Sequence, residues 1–198
     1  VMSGHLHDAV ITRLVETIPA PPPSVRNDLY LALLESVVSQ QLSVRVADVI
    51  FARFCGWFTD NYPDAARVSA LKTDVLRSVG LSGQKAAYIQ NIAAFHLATP
   101  IMMERLSHLT DEEVIAELTQ IKGVGRWTVQ MLLMFPMNRP DVFPVDDLGI
   151  RQSMIALYGV TETGKDLYKR LHRIADAWQP HRTLACKYLW RARDGKTV

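Results

Sequence analysis

Apolar residues recur along this chain at three- and four-residue intervals, the spacing that lines one face of an α-helix. Leu6, Val10 and Leu14, with Ile11 beside them, predict a first helix over 3–18. Pro19 and the Pro21-Pro22-Pro23 run end it, because proline lacks the N–H a helix needs and stiffens the connection to the next element. A second stripe runs through Leu29, Leu33, Leu34, Val37 and Val38, and a third through Val44, Ala47, Ile50 and Phe54. Tyr62-Pro63-Asp64-Ala65 reads as a helix start with proline in the first turn, and Gly80 as a stop after Val75, Leu76 and Val79. Ala86, Ile89, Ala93 and Leu97 mark one side of a helix over 85–97. Thr110-Asp111-Glu112-Glu113 is a capping box ahead of Val114, Ile115 and Leu118. Further helices are predicted over 126–135, 148–157, 163–178 and 182–191. No run alternates with the period of a strand and no hairpin dipeptide joins strand-like segments, so the expected fold is all-α.

Composition agrees with a globular chain of 198 residues, 48% hydrophobic and 21% charged, which excludes disorder as the main state. The two cysteines, Cys55 and Cys186, exclude a disulfide framework, a four-cysteine zinc site and an iron–sulfur cluster built from this chain. No apolar run approaches the ~18 residues of a membrane span. The start, Val1-Met2-Ser3-Gly4-His5, has neither the basic nor the apolar region of a secretory signal, so a chain that is not secreted is expected. The net charge of +2 points to no partner, but it is unevenly placed. Segment 165–198 holds nine Lys and Arg against three Asp, a net of +6, and the remainder carries −4. That asymmetry suits either a polyanion-facing surface or a set of solvated helix faces.

Two segments carry candidate chemistry. In Thr119-Gln120-Ile121-Lys122-Gly123-Val124-Gly125-Arg126-Trp127-Thr128 a capped helix ends in a Gly-Val-Gly turn and a new helix begins at once. Glycines let a phosphate approach the backbone, and the free N–H groups of the second helix point outward with the positive end of its dipole. Gly123, Val124, Gly125 and Arg126 therefore form either a sequence-independent phosphate clamp or a tight turn with no ligand. In Phe143-Pro144-Val145-Asp146-Asp147-Leu148-Gly149-Ile150-Arg151 two acids precede a helical pattern. Aspartate is a preferred helix cap, and a carboxylate at that place can equally stabilise a developing cation.

These residues, with Val38-Ser39-Gln40-Gln41-Leu42-Ser43, Val79-Gly80-Leu81-Ser82-Gly83-Gln84-Lys85 and Trp178-Gln179-Pro180-His181-Arg182 leading to Tyr188-Leu189-Trp190, resemble the helix-hairpin-helix DNA glycosylase superfamily. Within it they are most similar to the 3-methyladenine DNA glycosylase II family. The resemblance implies two helical subdomains, approximately 32–140 with the hairpin and 1–31 plus 141–198, and an active-site cleft between them. A damaged nucleotide would be flipped from the duplex to reach it.

Asp147 matches the family's essential carboxylate, with Asp146 its neighbour and a candidate cap. Trp127 and Trp190 match aromatic pocket walls, with Met131 one helical turn beyond Trp127; aromatic faces suit a cationic alkylated base. The lyase-capable branches carry a lysine at the place of Trp127, and tryptophan cannot form a Schiff base, so a monofunctional enzyme using water is implied. Gln41, with Leu42 second, matches the side chain that fills the gap left by the flipped nucleotide. Gly83 and Lys85 open a helix that either holds a phosphate or is an exposed cap. The carbonyls of Thr119, Ile121 and Val124 match those that coordinate a monovalent or divalent cation bridging to DNA; no cofactor is required for the chemistry, and no iron–sulfur cluster is expected.

The implied partner is double-stranded DNA containing damaged bases, with no membrane and a monomeric enzyme in the cytoplasm of a bacterium or the nucleus of a eukaryote. Two departures stand out: Lys122 replaces the proline common before the first hairpin glycine, and the helix over 3–18 stands where some relatives carry a β-rich domain. A glycosylase for uracil, hypoxanthine or an oxidised purine, and a non-catalytic DNA-binding module, are the alternatives.

Overall fold

The structure, a computed structural model, describes residues 8–22, 27–193 and 195. Among these it is entirely helical: α1 (Ala9–Thr17), α2 (Leu29–Ser39), α3 (Val44–Cys55), α4 (Ala65–Ala70), α5 (Thr73–Ser78), α6 (Gly83–Ala98), α7 (Met103–Leu106), α8 (Asp111–Leu118), α9 (Arg126–Met134), α10 (Leu148–Tyr158), α11 (Gly164–Asp176) and α12 (Arg182–Arg193). No described helix is long and apolar enough to cross a membrane. The chain divides into two compact units, Val25–Met137 and Val1–Ser24 with Asn138–Val198. The boundary expected at 31/32 would cut α2, a continuous helix. Asn138–Pro140 join the C-terminal helices because Thr183 donates its N–H to Pro140 and its hydroxyl to Arg139.

In the Val25–Met137 unit, α2 lies against α3, α6 and α9, while α4 and α5 pack on α6. Leu33, Leu34, Val37 and Val38 of α2, Ile89, Ile92 and Ala93 of α6, and Val129 and Leu133 of α9 have no exposure to solvent and form the core of this unit. The start of α4 differs from expectation: Asp64 is the cap, accepting the Arg67 N–H, so Pro63 stands outside the helix and its carbonyl takes the Tyr30 hydroxyl instead. On α6 Ala86, Ile89 and Ala93 are buried as expected and Ile92 joins them, while Leu97, in the last turn, is exposed. The capping box at Thr110 and Glu113 forms as expected.

In the other unit α12 packs on α1 and α10. The α1 stripe is Ile11, Leu14 and Ile18, with Val10 half-buried; Leu6, Pro23 and the side chain of Val44 lie outside the described residues. Asp8 caps α1 through the Ile11 N–H and also accepts from Tyr158 Oη at 2.8 Å and Trp178 Nε1 at 3.3 Å. One carboxylate thus starts the first helix and ties it to the fully buried Trp178. α11 ends at Asp176, short of Trp178, and α12 runs on to Arg193.

Candidate active site and nucleic-acid interface

The hairpin is assembled from local forces. α8 ends at the Thr119 cap, the Val124 N–H returns to the Ile121 carbonyl at 2.9 Å, and α9 opens at Arg126. Gly123 has φ +105°, and a Cβ built on it would lie 2.1 Å from Cγ of Tyr88, so the α6 tyrosine ring seals one side of the turn. Gly125, the cap of α9, offers no side-chain acceptor to the first N–H groups, and a Cβ there would meet nothing within 4 Å. The N-terminus of α9 consequently has no side-chain cap from this position and is positive. Asn91 of α6 donates to the Lys122 carbonyl at 3.0 Å, holding the turn that proline would otherwise stiffen.

Arg126 is held beside this turn by an acid of α8. Its guanidinium forms a two-pronged pair with Glu112, Nη1 to Oε2 at 3.0 Å and Nη2 to Oε1, joining α9 to the first turn of α8. The arginine draws the Glu112 carboxyl below the usual range. Trp127 comes next, 38% exposed, and Met131 lies one turn further along α9, half-buried.

A polar recess of about 250 Å³ gathers three of the expected DNA-contacting segments. Gln40 and Gln41 of the turn after α2, the α6 cap Ser82, Gln84, Lys85 and Tyr88 of α6, and Gly123 of the hairpin line it. Ser82 caps α6 by accepting the Lys85 N–H, and Gln84 donates to the Tyr88 hydroxyl at 2.5 Å. Gly83, the first residue of α6, has open space around its Cβ position. Lys85 does not reach outward to a phosphate: its Nζ donates to the carbonyls of Val38 at 2.6 Å and Gln40 at 2.7 Å. Carbonyls of a helix's last turn and its cap lack intrahelical partners, and the ammonium satisfies these two at the end of α2. Leu42 is 38% exposed at the end of the turn.

The carboxylate site lies in the other unit. Asp147, not Asp146, is the cap of α10, and its Oδ1 accepts the Ile150 N–H at 2.8 Å. The same oxygen accepts from Trp190 Nε1 at 2.9 Å, so α12 supplies a second donor. Asp146 is exposed and contributes its main-chain carbonyl, which takes Arg151 Nη1 at 3.0 Å; Arg151 also bonds the Tyr168 hydroxyl and lies over its ring. Two N–H donors thus converge on one Asp147 oxygen at the N-terminus of α10.

Gly149 makes the arrangement fit. A Cβ there would stand 2.6 Å from Arg193 Nη1 and 3.1 Å from both Asp147 Oδ1 and Trp190 Cδ1. Neither Arg193 nor Gly149 stands out in the sequence, where Gly149 is visible only as a glycine in the first turn of a helix. Cys186 is wholly buried, and burial first, then the Asp147 charge, push its thiol well above the ordinary value. In the basic C-terminal segment Arg182 grips Asp141 at 2.8 Å, Lys169 pairs with Asp166 at 2.9 Å and Arg170 with Glu162 at 3.9 Å. Part of the +6 is thus met locally by acids.

A sequence model described as the HhH-GPD superfamily base excision DNA repair protein matches residues 34–180. The chain belongs to this superfamily. It is 36% identical over 168 residues to DNA-3-methyladenine glycosylase 1 of Schizosaccharomyces pombe, covering 84% of this chain and 73% of that protein. The solved structure of the S. pombe 3-methyladenine DNA glycosylase in complex with abasic DNA superposes with a TM-score of 0.85 at 32% identity, covering 98% of this chain and 94% of that one. A DNA-3-methyladenine glycosidase from Bacillus halodurans superposes with a TM-score of 0.79 at 28% identity, over 98% and 89% of the two chains.

Proposed function

We propose that this chain is a monofunctional DNA glycosylase of base excision repair, releasing N-alkylated purines of the 3-methyladenine and 7-methylguanine type from duplex DNA. The observation that carries the reading is Asp147, fixed at the start of α10 by the Ile150 N–H and the Trp190 indole. Membership of the superfamily and the relatives' names support the same reaction.

An N-alkylated purine carries a positive charge and leaves readily, so little general-acid help is needed. The C1′–N bond breaks with its electron pair departing on the base, and positive charge grows on the deoxyribose. The Asp147 carboxylate stabilises that charge and orients water; the water oxygen bonds to C1′ and its proton passes to the carboxylate or to solvent. An abasic site and a free base result. Trp127, with Met131 a turn away, offers an aromatic face to a cationic base, an interaction of up to about 2 kcal/mol when desolvated. The Trp190 indole serves the carboxylate through its edge and the base through its face. Trp127 cannot form a Schiff base, which supports hydrolysis without strand cleavage.

The α9 N-terminus at Gly123-Val124-Gly125 holds a DNA phosphate through backbone N–H groups, which no charge count registers. The carbonyls of Thr119, Ile121 and Val124 would hold a hard cation that bridges to that phosphate. They are oxygen donors, and the Ile121 carbonyl keeps a second lone pair beside its bond to Val124. Gln41, with Leu42 beside it, fills the gap in the stack, and the protein acts as a monomer.

Base release from methylated duplex DNA by the wild type and by Asp147→Asn tests the reading, alongside a panel carrying uracil, hypoxanthine and 8-oxoguanine. Release of alkylated bases by the wild type and its loss in the variant are expected. Binding without release of any base would overturn the enzyme in favour of a DNA-binding module, and retained release in the variant would overturn the role of Asp147.

A further inference from the structure

Ser39 to Leu42 form a type II β-turn. Gln40 has φ −51° and ψ 128°, Gln41 has φ +59°, and the Leu42 N–H donates to the Ser39 carbonyl at 3.1 Å. The third position of such a turn requires a positive φ and is ordinarily glycine or asparagine. Glutamine there is strained, and the strain persists only where neighbouring groups hold it.

The holding group is Lys85. A type II turn differs from the commoner type I by rotation of its central peptide, so the direction of the Gln40 carbonyl distinguishes the two. Lys85 Nζ donates to that carbonyl at 2.7 Å and to Val38, at the end of α2, at 2.6 Å. The ammonium is braced from below, because Ser82 caps the first turn of α6 through the Lys85 N–H. Burial lowers the Lys85 pKa, as expected of an ammonium turned into the protein. A neutral side chain at this position leaves the central peptide free to rotate, whereupon Gln41 relaxes to negative φ and points elsewhere.

We propose that Lys85 is the positioning residue that locks the Ser39–Leu42 turn in its type II form and thereby aims Gln41 and Leu42 at the DNA. The functional half of this proposal rests on the glycosylase reading; the conformational half stands on the turn alone. It also replaces the phosphate-binding role that the sequence suggested for Lys85.

Three variants test it: Lys85→Met, Lys85→Gln, which retains a neutral and shorter N–H donor group, and Lys85→Met combined with Gln41→Gly. Through-space NMR contacts report the turn, since type II brings Gln40 Hα close to the Gln41 amide proton and type I brings the two amide protons together. Lys85→Met is expected to convert the first pattern to the second, Lys85→Gln to populate both, and the double variant to restore type II, because glycine accepts positive φ. Single-turnover base release by Lys85→Met should fall at least tenfold, with the slope of log binding against log salt unchanged.

A type II pattern that survives in Lys85→Met overturns the lock. A salt slope reduced by about one unit with the turn intact makes Lys85 a phosphate contact instead. A converted turn with undiminished base release overturns the positioning role. Should the wild type release no base, the glycosylase reading fails, while the NMR patterns still decide the lock.

Discussion

Trp190 Nε1 donates to Asp147 Oδ1 at 2.9 Å, and the same oxygen takes the Ile150 N–H at 2.8 Å. The indole edge thus has a fixed partner. It sets the rotamer of the carboxylate from a helix 43 residues away in sequence.

Trp190→Phe separates the two duties, because it keeps an aromatic face and removes the donor. A hydrogen bond to a charged group contributes roughly 1.5–3 kcal/mol. We expect kcat for base release to fall about tenfold or more, with KM little changed. An effect on KM alone would show that stacking is what Trp190 provides.

Gly149→Ala places a methyl against Arg193, Asp147 and Trp190. The Arg193 guanidinium can swing aside, and alanine favours the helix by roughly 1 kcal/mol, so thermal stability should change little. Base release should drop more than tenfold as the carboxylate and indole are pushed apart. A fully active variant would show that this geometry is not needed.

The two hairpin glycines should behave differently. Gly123→Ala meets both a positive φ and the Tyr88 ring at 2.1 Å, and each conflict costs about 1–3 kcal/mol. Denaturant unfolding should show that loss. Gly125→Ala meets open space, so stability should hold while duplex binding weakens, as the methyl stands in front of the α9 N–H groups.

Glu112→Gln releases Arg126 from its exposed pair, whose contribution to stability is at most about 1 kcal/mol. The Glu112 pKa is lowered on folding, so the pair's contribution is present above the unfolded carboxyl pKa and disappears as the pH falls through the lower folded value. At neutral pH the variant should bind duplex DNA more tightly with a steeper salt dependence, measured by titration at several salt concentrations. Weaker binding would mean that the pair itself positions the hairpin.

The local chemistry of both sites was legible in the sequence. Gly-Val-Gly between amphipathic stretches announced the hairpin, the Thr110 box capped α8 where expected, and an aspartate ahead of Leu148 announced a helix start. Which of Asp146 and Asp147 caps the helix was not legible there. Asp147 is the cap, and capping turns one of its oxygens toward Trp190. The edges of the helices were less legible: Asp64 rather than Pro63 opens α4, and Leu97 faces solvent at the end of α6.

The features that the sequence determined by itself are those whose physics is confined to a few neighbouring residues: helical period, caps, the glycine turn and the nearness of basic and acidic side chains along the chain. Tertiary structure alone decided where the long side chains end. Lys85 and Arg126 each stood beside a turn that suited either a phosphate or no ligand; in the fold the ammonium satisfies carbonyls at the end of α2 and the guanidinium closes on Glu112. Trp190 looked like a stacking face and turned its N–H to Asp147. A flexible or amphipathic side chain goes to whichever partner folding leaves unsatisfied, and that partner lies on another helix, beyond the reach of any local pattern.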